Sequence, residues 1–140
     1  MPARAAPVGQ RDLFTRRARR PPPAPEFHLQ ILVADVLRRW LSPGWRFSHF
    51  PAGELRNKVT AARLQRMGLN RGWADLVLLS PGAIAHFLEL KRRGEKLSED
   101  QEDFANFCLA HGYPFEWTDN FDVALAILKR WGAVRSAIRA

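Results

Sequence analysis

The chain has 140 residues, is 46% hydrophobic with five Trp and nine Phe, and carries a formal net charge of +8. That length builds one core, without room for a separate substrate domain. One cysteine, Cys108, excludes an intrachain disulfide and a multi-cysteine zinc site, and no apolar run nears the roughly 18 residues of a membrane span. No apolar stretch follows the N-terminal arginines as a secretory signal requires, so the expected location is intracellular, cytoplasmic or DNA-associated.

Residues 1–25 are rich in Ala, Arg and Pro, with six arginines against Asp12, and predict a basic arm that is mobile without a partner. Such an arm suits an anionic partner, nucleic acid before membrane. Residues 26–41 have helical spacing, with Leu29, Val33, Val36, Leu37 and Trp40 on one stripe and Glu26 on the same side. The alternation in 45–50 predicts a strand, "PAGE" a turn, and 55–68 a helix that exposes Lys58, Arg63 and Arg66 and is closed by Gly68. Two adjacent strands follow at about 73–79 and 84–91, joined by the turn residues "SPG". Both are almost continuously apolar, so helices must cover both faces of their sheet. Residues 97–112 read as a helix with Phe104, Phe107, Cys108 and Leu109 inward, 113–118 as a further strand, and 120–131 as the last clear helix. Residues 132–140 form a tail that extends this helix or frays. The order implies an α/β fold with a small mixed β-sheet flanked by helices, spanning 26–131.

The chemistry concentrates at the end of the second of those adjacent strands. Glu89 and Lys91 stand two apart, so their side chains leave one face while Leu88 and Leu90 enter the core. If the two strands pair as an antiparallel hairpin, Asp75 is carried to the same end as Glu89. Two carboxylates in a weakly solvated site repel each other unless a cation intervenes, and such oxygen-rich ligation suits Mg²⁺ or Mn²⁺. The other reading is an exposed Glu–Lys pair beside an unrelated Asp. Ser98 and Gln101 match a capping box, yet Gln101 also lies three residues before Phe104, which turns it toward the sheet. It can cap the helix while orienting water or touching a phosphate. Lys58, Arg63, Arg66, Arg71, Arg92, Arg93 and Lys96 can neutralise a phosphate backbone. His49 and His111 are candidate bases or packed residues. The four histidines lack zinc spacing, and neither a Walker loop nor a Rossmann fingerprint is present, so no organic cofactor is expected.

The ordered set Gly72-x-x-Asp75, an apolar strand, Glu89-x-Lys91 and Ser98-x-x-Gln101 resembles the virus-type replication–repair nuclease (VRR-NUC) domain, a branch of the PD-(D/E)XK nuclease superfamily. The resemblance runs from about Glu26 to Leu128; the family usually has Pro before the Asp, where this chain has Ala74. It implies a restriction-endonuclease-like core. It also implies a site of Glu26, Asp75, Glu89, Lys91 and Gln101, with a divalent ion held by Asp75, Glu89 and the Leu90 carbonyl and, directly or indirectly, by Glu26. Lys91 would orient or help deprotonate the attacking water. The activity implied is a metal-dependent DNA endonuclease leaving 5′-phosphate and 3′-hydroxyl ends. Stand-alone members look like dimeric enzymes that resolve four-way junctions in repair or recombination. The alternatives are a nuclease for flapped or linear ends and a non-catalytic nucleic-acid-binding module.

Overall fold

The computed structural model describes residues 25–50 and 57–135; the expected arm, the "PAGE" turn and residues 136–140 lie outside the described residues. The elements in chain order are α1 (Pro25–Trp40), β1 (Arg46–His49), α2 (Lys58–Arg66), β2 (Leu76–Leu79), β3 (Ala85–Leu90), α3 (Glu99–His111), β4 (Phe115–Thr118) and α4 (Phe121–Trp131). The strands form one mixed sheet in the order β1-β2-β3-β4, antiparallel except for the parallel β3–β4 pair. A parallel pair needs a long crossover, and α3 supplies it. No helix among the described residues is long and apolar enough to cross a membrane.

The period-two pattern of β2 and β3 decides how the sheet is covered. Leu76, Leu78, Leu88 and Leu90 face α1 and α4, where they meet Leu29, Val33, Leu37, Leu125 and Leu128 in the main core. Each leucine fully buried there stabilises the fold by about 1.5–3 kcal/mol. On the opposite face Phe87 packs with Ala74, Phe104 and Cys108 in a smaller cluster under α3. Both faces are therefore covered, as the apolar strands require. Packing continues past Trp131: Ala133 and Val134 are buried, and Val134 bridges to Leu41.

The helix boundaries follow their caps. Asn57 accepts from Thr60 N at 2.7 Å, Asn120 from Val123 N at 3.0 Å, and Ser98 with Gln101 forms a complete capping box. The helix expected over 55–68 is described from Lys58; it ends at Arg66, with Met67 as its cap and Gly68 following at φ +106°.

Three apolar expectations are corrected. Trp40, Phe107 and Leu109 are exposed, Leu109 to 83%. α3 meets the sheet along the narrow stripe of Phe104 and Cys108. Phe107 instead stacks on His111 and Tyr113 outside the core.

Candidate active site

The β2–β3 register pairs Leu76 with Leu88, so the next residues outward, Asp75 and Glu89, oppose each other. Their side chains tie the strands together. Glu89 Oε2 accepts from the Asp75 backbone N–H at 3.0 Å, and Asp75 Oδ2 accepts from the Leu90 N–H at 2.9 Å. Each carboxylate thus fixes the other's strand at the mouth of the sheet.

Glu89 is only 3% exposed. Burial, followed by the nearby Asp75 carboxylate, pushes its pKa up to about 8, against the partial opposing pull of Lys91. Lys91 Nζ stands 3.7 Å from Glu89 Oε1, on the same face as the spacing requires. Gln101 approaches from the first turn of α3. Its Nε2 donates to Glu89 Oε1 at 2.7 Å, while its Oε1 accepts from Ser98 N at 2.9 Å. One carboxamide therefore caps the helix and orients the buried carboxylate.

The segment before Asp75 is held by residues whose part is harder to read from sequence. Gly72 adopts φ +87°, and a Cβ there would overlap the Asp100 backbone carbonyl, so only glycine lets this loop lie against the start of α3. Trp73 stacks on Phe104 at 4.8 Å, and Ala74 is buried in the cluster beneath α3. The Asp75 carbonyl accepts from Phe50 N at 2.7 Å, with His49 Nδ1 3.1 Å away. The same Nδ1 also meets the Gln30 carboxamide nitrogen. Protonated, Nδ1 donates to Asp75; bare, it accepts from Gln30. The first tautomer ties β1 to the site and the second ties β1 to α1, while Phe50 N holds the Asp75 carbonyl in both. His111, at the far end of α3, donates to the Phe107 carbonyl at 2.9 Å.

Asp75, Glu89, Lys91 and Gln101 thus come together, as the sequence spacing suggested. Glu26 belongs to the first turn of α1, but its side chain lies outside the described residues. Lys58, Arg63 and Arg66 are exposed on α2, Arg71 in the loop that follows it, and Arg92, Arg93 and Lys96 in the β3–α3 loop. Among the described residues no group of three or more His, Cys, Asp or Glu is placed to hold a metal ion. The donor set fits a hard divalent cation nonetheless. Ions of the Mg²⁺ type need one or two carboxylates and keep several waters, and a cation between Asp75 and Glu89 would offset the Asp75 repulsion that adds to burial in raising the Glu89 pKa.

Comparison with known proteins agrees with this architecture. The family model of the VRR-NUC domain matches residues 32–120. A solved structure described as a VRR_NUC domain protein superposes with TM-score 0.60 at 20% identity, covering 76% of this chain and 86% of its own. Another, a VRR_NUC domain, gives TM-score 0.56 at 14% identity over 78% of this chain and 99% of its own. No curated protein sequence matches. A four-stranded mixed sheet with helices on both faces, carrying paired carboxylates at its mouth, places the chain in the nuclease-like α/β class. Within that class the chain belongs to the VRR-NUC family of nuclease domains.

Proposed function

We propose that the chain is a divalent-metal-dependent DNA endonuclease that cuts branched DNA, four-way junctions above all, during repair or recombination. The observation that supports the metal-nuclease part of this reading is the interlocked pair of Asp75 and Glu89, with Lys91 and Gln101 both directed at Glu89. Asp75, Glu89 and the Leu90 carbonyl would hold Mg²⁺ or Mn²⁺, with Glu26 as a further or indirect partner. When bound, such an ion lowers the pKa of the attacking water and offsets charge on the phosphoryl oxygens.

The protein's own groups do the positioning. Lys91 Nζ, anchored by its ion pair, donates toward the attacking water and the non-bridging oxygens. Gln101 keeps Glu89 Oε1 oriented and itself stays fixed by Ser98. The exposed arginines and lysines on α2 and in the β3–α3 loop hold the flanking phosphates and orient the duplex without reading bases. In-line attack leaves a 5′-phosphate and a 3′-hydroxyl. One chain carries one such centre, and symmetric nicks across a junction need two, so the working form is a two-fold dimer.

The test is cleavage of junction, flapped and linear DNA in Mg²⁺ or Mn²⁺. Paired symmetric nicks in the junction are expected, with Asp75→Asn and Lys91→Ala slower by about 10²-fold or more. Preference for flaps or ends would select the alternative nuclease reading. Salt-sensitive binding with no cleavage of any substrate would leave a binding module. A monomer in sedimentation at micromolar concentration, with or without junction DNA, would overturn the dimer.

A further inference from the structure

We infer that Trp117 is a stacking platform for an unpaired nucleobase beside the carboxylate pair. This deepens the nuclease reading and rests on it for the phosphate's position.

The parallel β3–β4 register aligns Trp117 directly with Glu89. Adjacent strands lie about 4.8 Å apart, so the indole stands one strand away from the buried carboxylate. Two residues earlier, Phe115 packs with Phe104 on the α3 face, and period-two alternation puts Trp117 on that face too. Glu89 uses the same face to reach Gln101. β4 is an edge strand, and Trp117 is 38% exposed there.

The other site tryptophan is already engaged, since Trp73 packs against Phe50, Phe87 and Phe104. Among the described residues Trp117 makes no ring–ring contact.

A basic loop is fastened to the same end of β4. Lys91 N donates to the Thr118 carbonyl at 2.9 Å, and Gly94 N donates to Asp119 Oδ2 at 2.8 Å. These bonds hold exposed Arg93, and Arg92 in its ion pair with Glu95 at 3.8 Å, beside the strand that carries Trp117. An aromatic face next to fixed positive charge is the arrangement that binds single strands, with the base stacked and the backbone neutralised. A fully paired base offers no free face to an indole. The substrate class selected is therefore DNA with an unpaired nucleotide next to the scissile phosphate, as at a flap, or at the branch point of a junction once its terminal pair opens.

The full chain labelled with 5-fluorotryptophan tests this without divalent ions, so that nothing is cut. The ¹⁹F resonance lost in Trp117→Phe identifies the residue. That resonance should shift when a single-stranded oligonucleotide is added, and not with a blunt duplex of equal length. No shift, or the same shift with duplex, overturns the proposal. Trp117→Leu should weaken single-strand binding roughly tenfold, spare duplex binding, and be largely rescued by Trp117→Phe. Equal loss on both substrates identifies a merely structural edge residue and also overturns it. Should Trp117→Leu fail to fold, the fluorine shift and Trp117→Phe still decide. A shift without cleavage in Mg²⁺ or Mn²⁺ keeps the platform and removes the nuclease reading; cleavage without a shift does the reverse.

Discussion

At the scale of single residues, Gln101 serves two structures with one carboxamide, and the two can be separated. Ser98→Ala removes the side-chain half of the capping box, so a stability loss of about 1 kcal/mol is expected while the Gln101–Glu89 bond can persist. Gln101→Ala keeps the Ser98 Oγ bond to the residue-101 amide but removes the reciprocal bond to Ser98 N and the bond to Glu89. It should cost a similar amount in thermal unfolding and, in addition, roughly 10–100-fold in cleavage rate, because Glu89 loses its orienting donor. Equal effects of the two variants on rate would mean that capping alone matters. Glu89 gives a second residue-level expectation. Its folded pKa, about 8, is raised above the usual 4.5, so the folded state favours the protonated form. Its contribution to stability is therefore fully present below pH 4.5 and declines as pH rises through about 8. Protein stripped of divalent ions should lose stability over that window, and Glu89→Gln should flatten the slope in denaturant titrations at stepped pH. His86 works in the opposite sense. Packed between Trp45 and Trp131, it has its pKa lowered below 6.5 by burial, so its contribution holds above 6.5 and is lost as pH falls below it.

At the scale of elements, the site is assembled where three segments meet: the entry to β2, the end of β3 and the first turn of α3. Gly72 sets how closely the first can approach the third. Gly72→Ala combines a left-handed backbone with overlap on the Asp100 carbonyl, so destabilisation of about 2 kcal/mol or more is expected, with a matching loss of cleavage. Thermal melts with and without Mn²⁺ check this, and a variant as stable and as active as the parent would refute it. The same junction shows what was legible in the sequence. Period-two alternation fixed the common face of Glu89 and Lys91, because only one β3 pairing buries Leu88 and Leu90. The S-x-x-Q signature located the start of α3 because capping is local chemistry. The tie of His49 to Asp75 was not legible, since it depends on how β1 meets the entry to β2, and in sequence an imidazole in an aromatic strand reads equally as a base. Phe107 and Leu109 were misassigned for a related reason. Helical periodicity shows which residues share a stripe, but the width of the contact is set by the sheet below. Here that contact is only Phe104 and Cys108 wide.

At the scale of the whole molecule, Lys91 is the cation of the carboxylate pair itself, while the other basic residues proposed to meet DNA lie exposed on α2 and in the loops. α2 has no buried residue; it presents Lys58, Arg63 and Arg66 beside Val59 and Met67, which are 70% and 76% exposed. A helix with so little share in the core can lose charge without unfolding the domain. That makes α2 the place to measure the electrostatic part of DNA binding apart from catalysis. Each lysine or arginine that neutralises a phosphate releases condensed counterion, so the logarithm of affinity falls with the logarithm of salt at a slope of about −0.9 per contact on duplex DNA. Arg63→Ala with Arg66→Ala should therefore weaken binding to every sequence alike and reduce that slope by about two. The thermal midpoint should stay near that of the parent, since neither side chain is buried. The cleavage rate at saturating DNA should also change little, because neither residue touches Asp75, Glu89 or Lys91. Affinity titrations over a series of salt concentrations, paired with single-turnover rates, read the two quantities separately. A fall in the single-turnover rate with the slope unchanged would place these arginines in the chemistry and not on the phosphate backbone.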